Sequence, residues 1–269
     1  MSCGAPPRRR RGAHALPPKG VLSGEREPVF TYLPEEVQRN MQRRDSESAV
    51  VWAAFYPFAH SGMSFRDWSA IRPLWGSSIP SEGDDRLIPY FWGLRVDATP
   101  LEGMAEAAHA IAGREDRLEV DLYLKGDRVL VAIEAKTDGA PAGCGRHEAG
   151  RCPEIHGGEA PCRYWEGEET FSRSLDFGTR PELGAEESPP CARHYQLART
   201  LLIVERLGQA SGLEPHLSLL VPRRRWPALR TAWQDFADRV RDDGQWRRLR
   251  VVAWEDLQSL GRRDPWGRD

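Results

Sequence analysis

This chain is almost without lysine. Of its 38 basic residues only Lys19, Lys125 and Lys136 are lysines, and the others are arginines. A protein that meets its ordinary need for positive charge with arginine uses a lysine where a compact ammonium is itself wanted. Long apolar runs are also missing. None approaches the roughly 18 residues needed to cross a bilayer, and Arg8 to Arg11 is followed by no apolar stretch of the kind that marks a secretory signal. These two absences predict no membrane partner and a cytoplasmic location. Excess charge is lacking too: a formal net charge of −2 excludes a globally basic nucleic-acid binder and confines any such contact to a patch. Finally, the five cysteines include no C-x-x-C pair.

What is present is an ordinary soluble composition, 40% hydrophobic and 29% charged over 269 residues, with ample material for a core. Residues 1–26 combine Pro6-Pro7, the four arginines, Pro17-Pro18 and several glycines, and read as a disordered basic tail. Either it attracts phosphate or it is a solvated tail with no role. Residues 27–269 then form the folded part.

The most informative stretch is a pair of short strands, Leu118 to Leu124 and Val129 to Lys136, joined by a polar Lys125-Gly-Asp-Arg turn. Val129 to Ile133 is apolar at every position, as in a strand covered on both faces. Side chains alternate along a strand, so Glu134 and Lys136 project together while Ala135 points away. Asp121 closes the cluster from the partner strand. Two carboxylates and an ammonium at the end of a buried strand are costly unless paired or bound to a metal. The plain alternative is a surface Glu/Lys pair on a strand end.

Asp121, twelve intervening residues and Glu134-Ala135-Lys136 behind an apolar strand resemble the PD-(D/E)XK, or restriction-endonuclease-like, nuclease superfamily. Val120 stands where the proline of the motif often does. The resemblance implies an α/β fold with a mixed central β-sheet flanked by helices. It also implies Mg²⁺- or Mn²⁺-dependent hydrolysis of DNA, giving 5′-phosphate and 3′-hydroxyl ends. Asp121, Glu134 and the Ala135 carbonyl would hold the metal, and Lys136 would orient the attacking water. In such nucleases a helix ahead of the hairpin often carries a further acidic residue, for which Glu47 is the candidate. A first-turn helix glutamate also has a sufficient structural explanation. Gln196 resembles the glutamine found on the following helix in RecB-like and related nucleases, although leucines stand where a tyrosine often follows.

The flanking elements agree with that order. Leu33 to Phe58 reads as a helix begun at Pro34, or as two helices with Asp45 or Ser46 capping the second. Residues 59–100 resist assignment; Asp67-Trp68, Trp75 and Tyr90 to Trp92 read as core closing one edge, with base stacking as the other use of such aromatics. Leu101 to Ala112 reads as a helix. Further helices are predicted over Ala192 to Leu207 and Pro227 to Val240, strands over His216 to Val221 and Leu249 to Trp254, and a short helix from Glu255. Between Arg223 and Arg250 nine arginines face four acidic residues, and Arg223, Arg224 and Arg225 are candidates for phosphate contacts. A solvated charged face is the alternative.

Residues 137–191 form a long irregular stretch that holds Cys144, Cys152, Cys162 and Cys191, with His147, His156 and His194 interleaved. A loop of that length in a compact domain is functional, disordered or stapled. Structural disulfides are disfavoured in a cytoplasmic setting, so metal is the leading account of the clustering. Four thiolates, or three with one imidazole, suit zinc. They also suit a four-iron cluster, which certain RecB-like nucleases carry with one cysteine ahead of the hairpin and three after it. Here all four follow it. Adventitious thiols without metal are the third reading. The function readings are therefore a Mg²⁺-dependent DNA endonuclease, a RecB-like exonuclease with an iron–sulfur staple, and a nuclease-like fold that binds without cleaving.

Overall fold

A computed structural model describes residues 23–258 apart from 34, 44–45, 78–84, 113–119, 159 and 168–169. The expectations resting on Pro34, Asp45, Leu118 and most of the basic tail therefore lie outside the described residues. At the tail's expected end, residues 23–26 form a turn. There the Ser23 carbonyl accepts a hydrogen bond from Trp52 Nε1, so the chain is packed from Ser23 onward.

The architecture is mixed α/β. Six strands, β1 (Met63–Ser64), β2 (Arg86–Phe91), β3 (Leu122–Lys125), β4 (Val129–Ala135), β5 (Glu214–Val221) and β6 (Leu249–Ala253), lie in one sheet in sequence order. Neighbours from β1 to β4 are antiparallel, while β4, β5 and β6 are parallel. A parallel step needs a crossover connection, and each of the two is supplied with helices.

Helices α1 (Glu35–Asn40), α2 (Glu47–Phe55), α3 (Phe65–Ala70) and α4 (Met104–Ala112) precede β3, and α5 (Tyr195–Ser211) enters β5. Between β5 and β6 lie α6 (Trp226–Ala237) and α7 (Asp243–Arg247), and α8 (Trp254–Gln258) follows β6.

The period-two burial of the strands explains how both faces are covered. On β4, Leu130 and Ala132 join the core built by α4, α5 and α6. Val129, Val131, Ile133 and Ala135 join the opposite core with α1, α2 and α3. Every residue of β4 is buried, which accounts for its unbroken apolar run.

Several boundaries differ from the sequence reading, each for a local reason. Of the two readings of Leu33 to Phe58 the one with two helices holds, because Ser46 is extended and its side chain accepts from the Ala49 N–H. The helix expected from Ala192 splits at His194 into Pro190–Arg193 and α5. Helix α5 also runs beyond Leu207, ending only where Gly212 takes a left-handed φ of 67°. Asp121 stands immediately ahead of β3 rather than on it.

The unassigned stretch 59–100 supplies β1, α3 and β2. Its Trp68 and Phe91 are fully buried, so these two aromatics are core and not a stacking surface. Leu74 and Trp75 lie along β6, with the Leu74 N–H donating to Val251 and the Val251 N–H to Trp75.

Candidate functional site

The parallel strand β4 ends where the antiparallel hairpin, α2 and α5 converge, and a cleft of about 550 Å³ opens there. Asp121, Lys136, Glu47 and Gln196 line it, with Glu36, Asn40 and Arg43 from the α1 side. Asp121 Oδ2 accepts from the Ala135 N–H at 2.9 Å, which joins the hairpin's two ends at the level of the acidic pair. Lys136 Nζ donates to Glu47 Oε2 at 2.9 Å and is largely buried. The Lys136 carbonyl in turn accepts from Trp254 Nε1 at 3.1 Å, so α8 braces the lysine backbone.

Glu134 sits beneath the cleft floor, fully buried. Its Oε2 accepts from Gln196 Nε2 at 2.6 Å, and its Oε1 accepts from the Thr200 hydroxyl. Gln196 and Thr200 are four apart on α5 and therefore share a helix face. Burial pushes the Glu134 carboxyl up to about 8, with the nearby Asp121 carboxylate adding to the rise; Thr200, Lys136 and Gln196 pull the other way without cancelling it. For Lys136, burial works downward, but the carboxylates of Asp121, Glu47 and Glu134 outweigh it and the net shift is upward. Lys136 is thus a held cation, a donor rather than a base.

The five residues of the nuclease motif reading, Asp121, Glu134, Lys136, Glu47 and Gln196, are therefore brought together. Lys136 and Glu134 do not project side by side: beyond the last ladder position the lysine swings to α2, whereas the glutamate keeps to the α5 side. Thr200 was not legible as a site residue, although its spacing from Gln196 was a usable signal. Trp92 also borders the cleft in a left-handed conformation (φ 51°), its N–H donating to the Asp121 carbonyl at 3.2 Å. That conformation is costly for a bulky residue.

The arginine triplet lies close by in a short turn, Arg223–Arg225. Arg225 pairs with the cleft residue Asp138 at 3.2 Å, Arg223 pairs with Asp256, and Arg224 is exposed.

Residues 137–191 are not a featureless loop. Among the described residues five short helical turns punctuate the approach to α5: Gly145–Glu148, Pro153–His156, Arg163–Glu166, Phe171–Ser174 and Pro190–Arg193. Cys144, Cys152 and Cys162 each stand immediately before one of the first three, and Cys191 lies within the last. None of the four is joined in a disulfide. Burial pushes the Cys191 thiol up to about 12 and also raises that of Cys162, with neighbouring cysteines adding in both cases.

His147 and His156 face each other in a stack with centroids 6.5 Å apart, whereas His194 turns away to Asp235 Oδ2 at 2.6 Å. Among the described residues no three His, Cys, Asp or Glu side chains are set around the position of one ion.

No helix among the described residues is long and apolar enough to cross a membrane. Comparison with protein-family models, with curated proteins and with solved structures finds no match to this chain.

Proposed function

We propose that the cleft is the active site of a metal-dependent phosphodiesterase acting on DNA, with a restriction-endonuclease-like core. One observation carries the reading: Asp121 and Lys136 line one cleft beyond the carboxyl end of a parallel strand, and Glu134 lies buried beneath its floor. Ligand sites in such sheets form outside the carboxyl ends of strands. The donor set fits a hard divalent cation, since Asp121, Glu134 and the Ala135 carbonyl offer only oxygens. A buried acid pushed up to about 8 beside a second carboxylate is also the arrangement that an added positive charge would relieve. Bound there, Mg²⁺ or Mn²⁺ would supply Lewis acidity and a more acidic water.

The chain's own residues do the rest. Lys136, kept protonated by three carboxylates, orients the attacking water and meets the charge that grows on the phosphate. Glu47 holds the ammonium in place through its 2.9 Å hydrogen bond. Gln196 and Thr200 fix the Glu134 carboxylate from the α5 side. Arg224 and Arg225, at the end of β5 and near Asp138, extend the site toward a phosphate backbone.

The test is cleavage of plasmid, linear and single-stranded DNA with Mg²⁺ or Mn²⁺, comparing the wild type with Asp121→Ala and Lys136→Ala. Both variants are expected to keep the wild-type circular dichroism spectrum and to lose at least about 100-fold in rate, the scale of removing a charge-stabilising group. Equal activity in all three removes the assignment. Glu134 lies sealed under Gln196 and Thr200, and this favours one other reading, a fold that binds DNA without cutting it. Retained DNA binding with no cleavage in the wild type would select that reading.

A further inference from the structure

We propose that Cys144, Cys152, Cys162 and Cys191 together hold one thiolate-bound metal centre, and that this centre clamps the Gln196 side of the cleft. The four short turns that carry them are joined pairwise into a closed ring. The first and second turns meet through the stacked His147 and His156 rings. The second and third are joined by the Cys162 N–H, which donates to Glu154 Oε1 at 2.6 Å, and Glu154 is itself buried and paired with Arg180. The third and fourth are brought together by Tyr164 on the third, whose hydroxyl shares a 3.2 Å hydrogen bond with that of Tyr195, two residues past the fourth. The fourth returns to the first through the Cys144 N–H, which donates to the Ala192 carbonyl at 2.8 Å.

Four cysteines separated by 7 to 28 residues are thus delivered to one locus, each from its own turn. Cys162 packs against the same buried cluster that contains Cys191. Cys144, Cys152 and Cys162 precede their turns without capping them, which leaves the sulfurs available for another partner. Tyr164, Phe171, Phe177 and Tyr195 pack in edge and stacked contacts beside the third and fourth turns, where Cys191 is buried. Such a shell favours a structural centre over an exposed reactive thiol.

Soft thiolate donors select zinc or an iron–sulfur cluster. Among the described residues no three such side chains are set around one ion position, so ligation would have to draw the sulfurs inward. The shared chemistry is four thiolates on one centre, and metal binding of this kind contributes directly to folding.

The consequence for the cleft follows from the backbone. Ala142 lies two residues before Cys144, and Gln196 five after Cys191. The Ala142 N–H donates to Gln196 Oε1 at 2.7 Å, and the Gln196 N–H donates to the Ala142 carbonyl at 3.2 Å. Gln196 then reaches Glu134. A centre that locks Cys144 to Cys191 therefore locks this reciprocal pair. The inference about metal stands on the ring of turns and is independent of the phosphodiesterase reading.

The deciding experiment measures zinc, iron and acid-labile sulfide per chain in protein purified without added metal, together with absorbance near 400 nm. One zinc per chain, or about four irons with matching sulfide and a brown colour, supports the proposal and names the centre. Metal-free protein, or Cys–Cys disulfides in the purified chain, overturns it whether or not any variant folds. Cys144→Ser, at a half-buried position, is expected to lose most of the bound metal and to lower the melting temperature, while Cys3→Ser leaves both unchanged. Full metal retention in Cys144→Ser would overturn the four-ligand assignment.

Discussion

At the scale of single residues, the site is a contest over one buried acid. Glu134 is desolvated and has Asp121 as a neighbour, and its two oxygens are held by Gln196 and Thr200. A hydrogen bond to a charged group is worth about 1.5–3 kcal/mol. Thr200→Val, which keeps the shape but deletes the hydroxyl donor, is therefore expected to lower kcat/KM by roughly 10- to 100-fold and to raise the Mg²⁺ concentration needed for half-maximal rate. Thr200→Ser should restore most of both. An unchanged metal requirement in Thr200→Val would show that the hydroxyl does not position the carboxylate. Glu47 illustrates why such roles are hard to read in advance: a first-turn glutamate satisfies the helix dipole anywhere, and only the packing of α2 against the hairpin end gives it Lys136 as a partner.

At the scale of elements, helix α5 connects the cysteine ring, the cleft and the parallel sheet. Its near end presents Gln196 and Thr200, and its far end must turn at once into β5. Gly208 makes that turn possible. A methyl group there would come within 2.7 Å of the Leu213 carbonyl and 3.1 Å of Pro215. Replacing a helix-interior glycine by alanine ordinarily stabilises by up to about 1 kcal/mol. Here the neighbour is backbone and cannot step aside, so Gly208→Ala is expected to destabilise by about 1–3 kcal/mol, the usual cost of overpacking. A urea unfolding midpoint that rises in the variant would contradict this. The sequence pattern suggested a helix stopping near this glycine, because glycine is a common terminator. Its actual role, close approach to the following strand, depends on a neighbour that periodicity does not reveal.

At the scale of the whole molecule, two cores separated by one sheet flank the interior strand β4, beyond whose carboxyl end the cleft opens. A ligand that binds only the folded state raises stability by RT ln(1 + [L]/Kd), about 2.7 kcal/mol at a hundredfold excess over Kd. For a chain of this size that corresponds to a rise in Tm of about 5–10 °C with saturating Mg²⁺ or Mn²⁺. Asp121→Asn is expected to abolish that rise while leaving the metal-free Tm close to wild type. Identical shifts in both proteins would place the cation elsewhere.

What the sequence determined by itself was local and periodic. An unbroken apolar strand required cover on both faces, a Ser46 cap started α2, and a lysine in an arginine-rich chain stood out at the strand end. The order of helix and strand along the second half was legible for the same reason, since amphipathic spacing is written residue by residue. What only the tertiary structure decided was convergence. Residue 47 meets residue 136, Thr200 reaches Glu134, Trp68 and Phe91 fill the core, and four distant cysteine turns close into a ring. Such contacts depend on how elements cross in space, and no local period encodes that crossing.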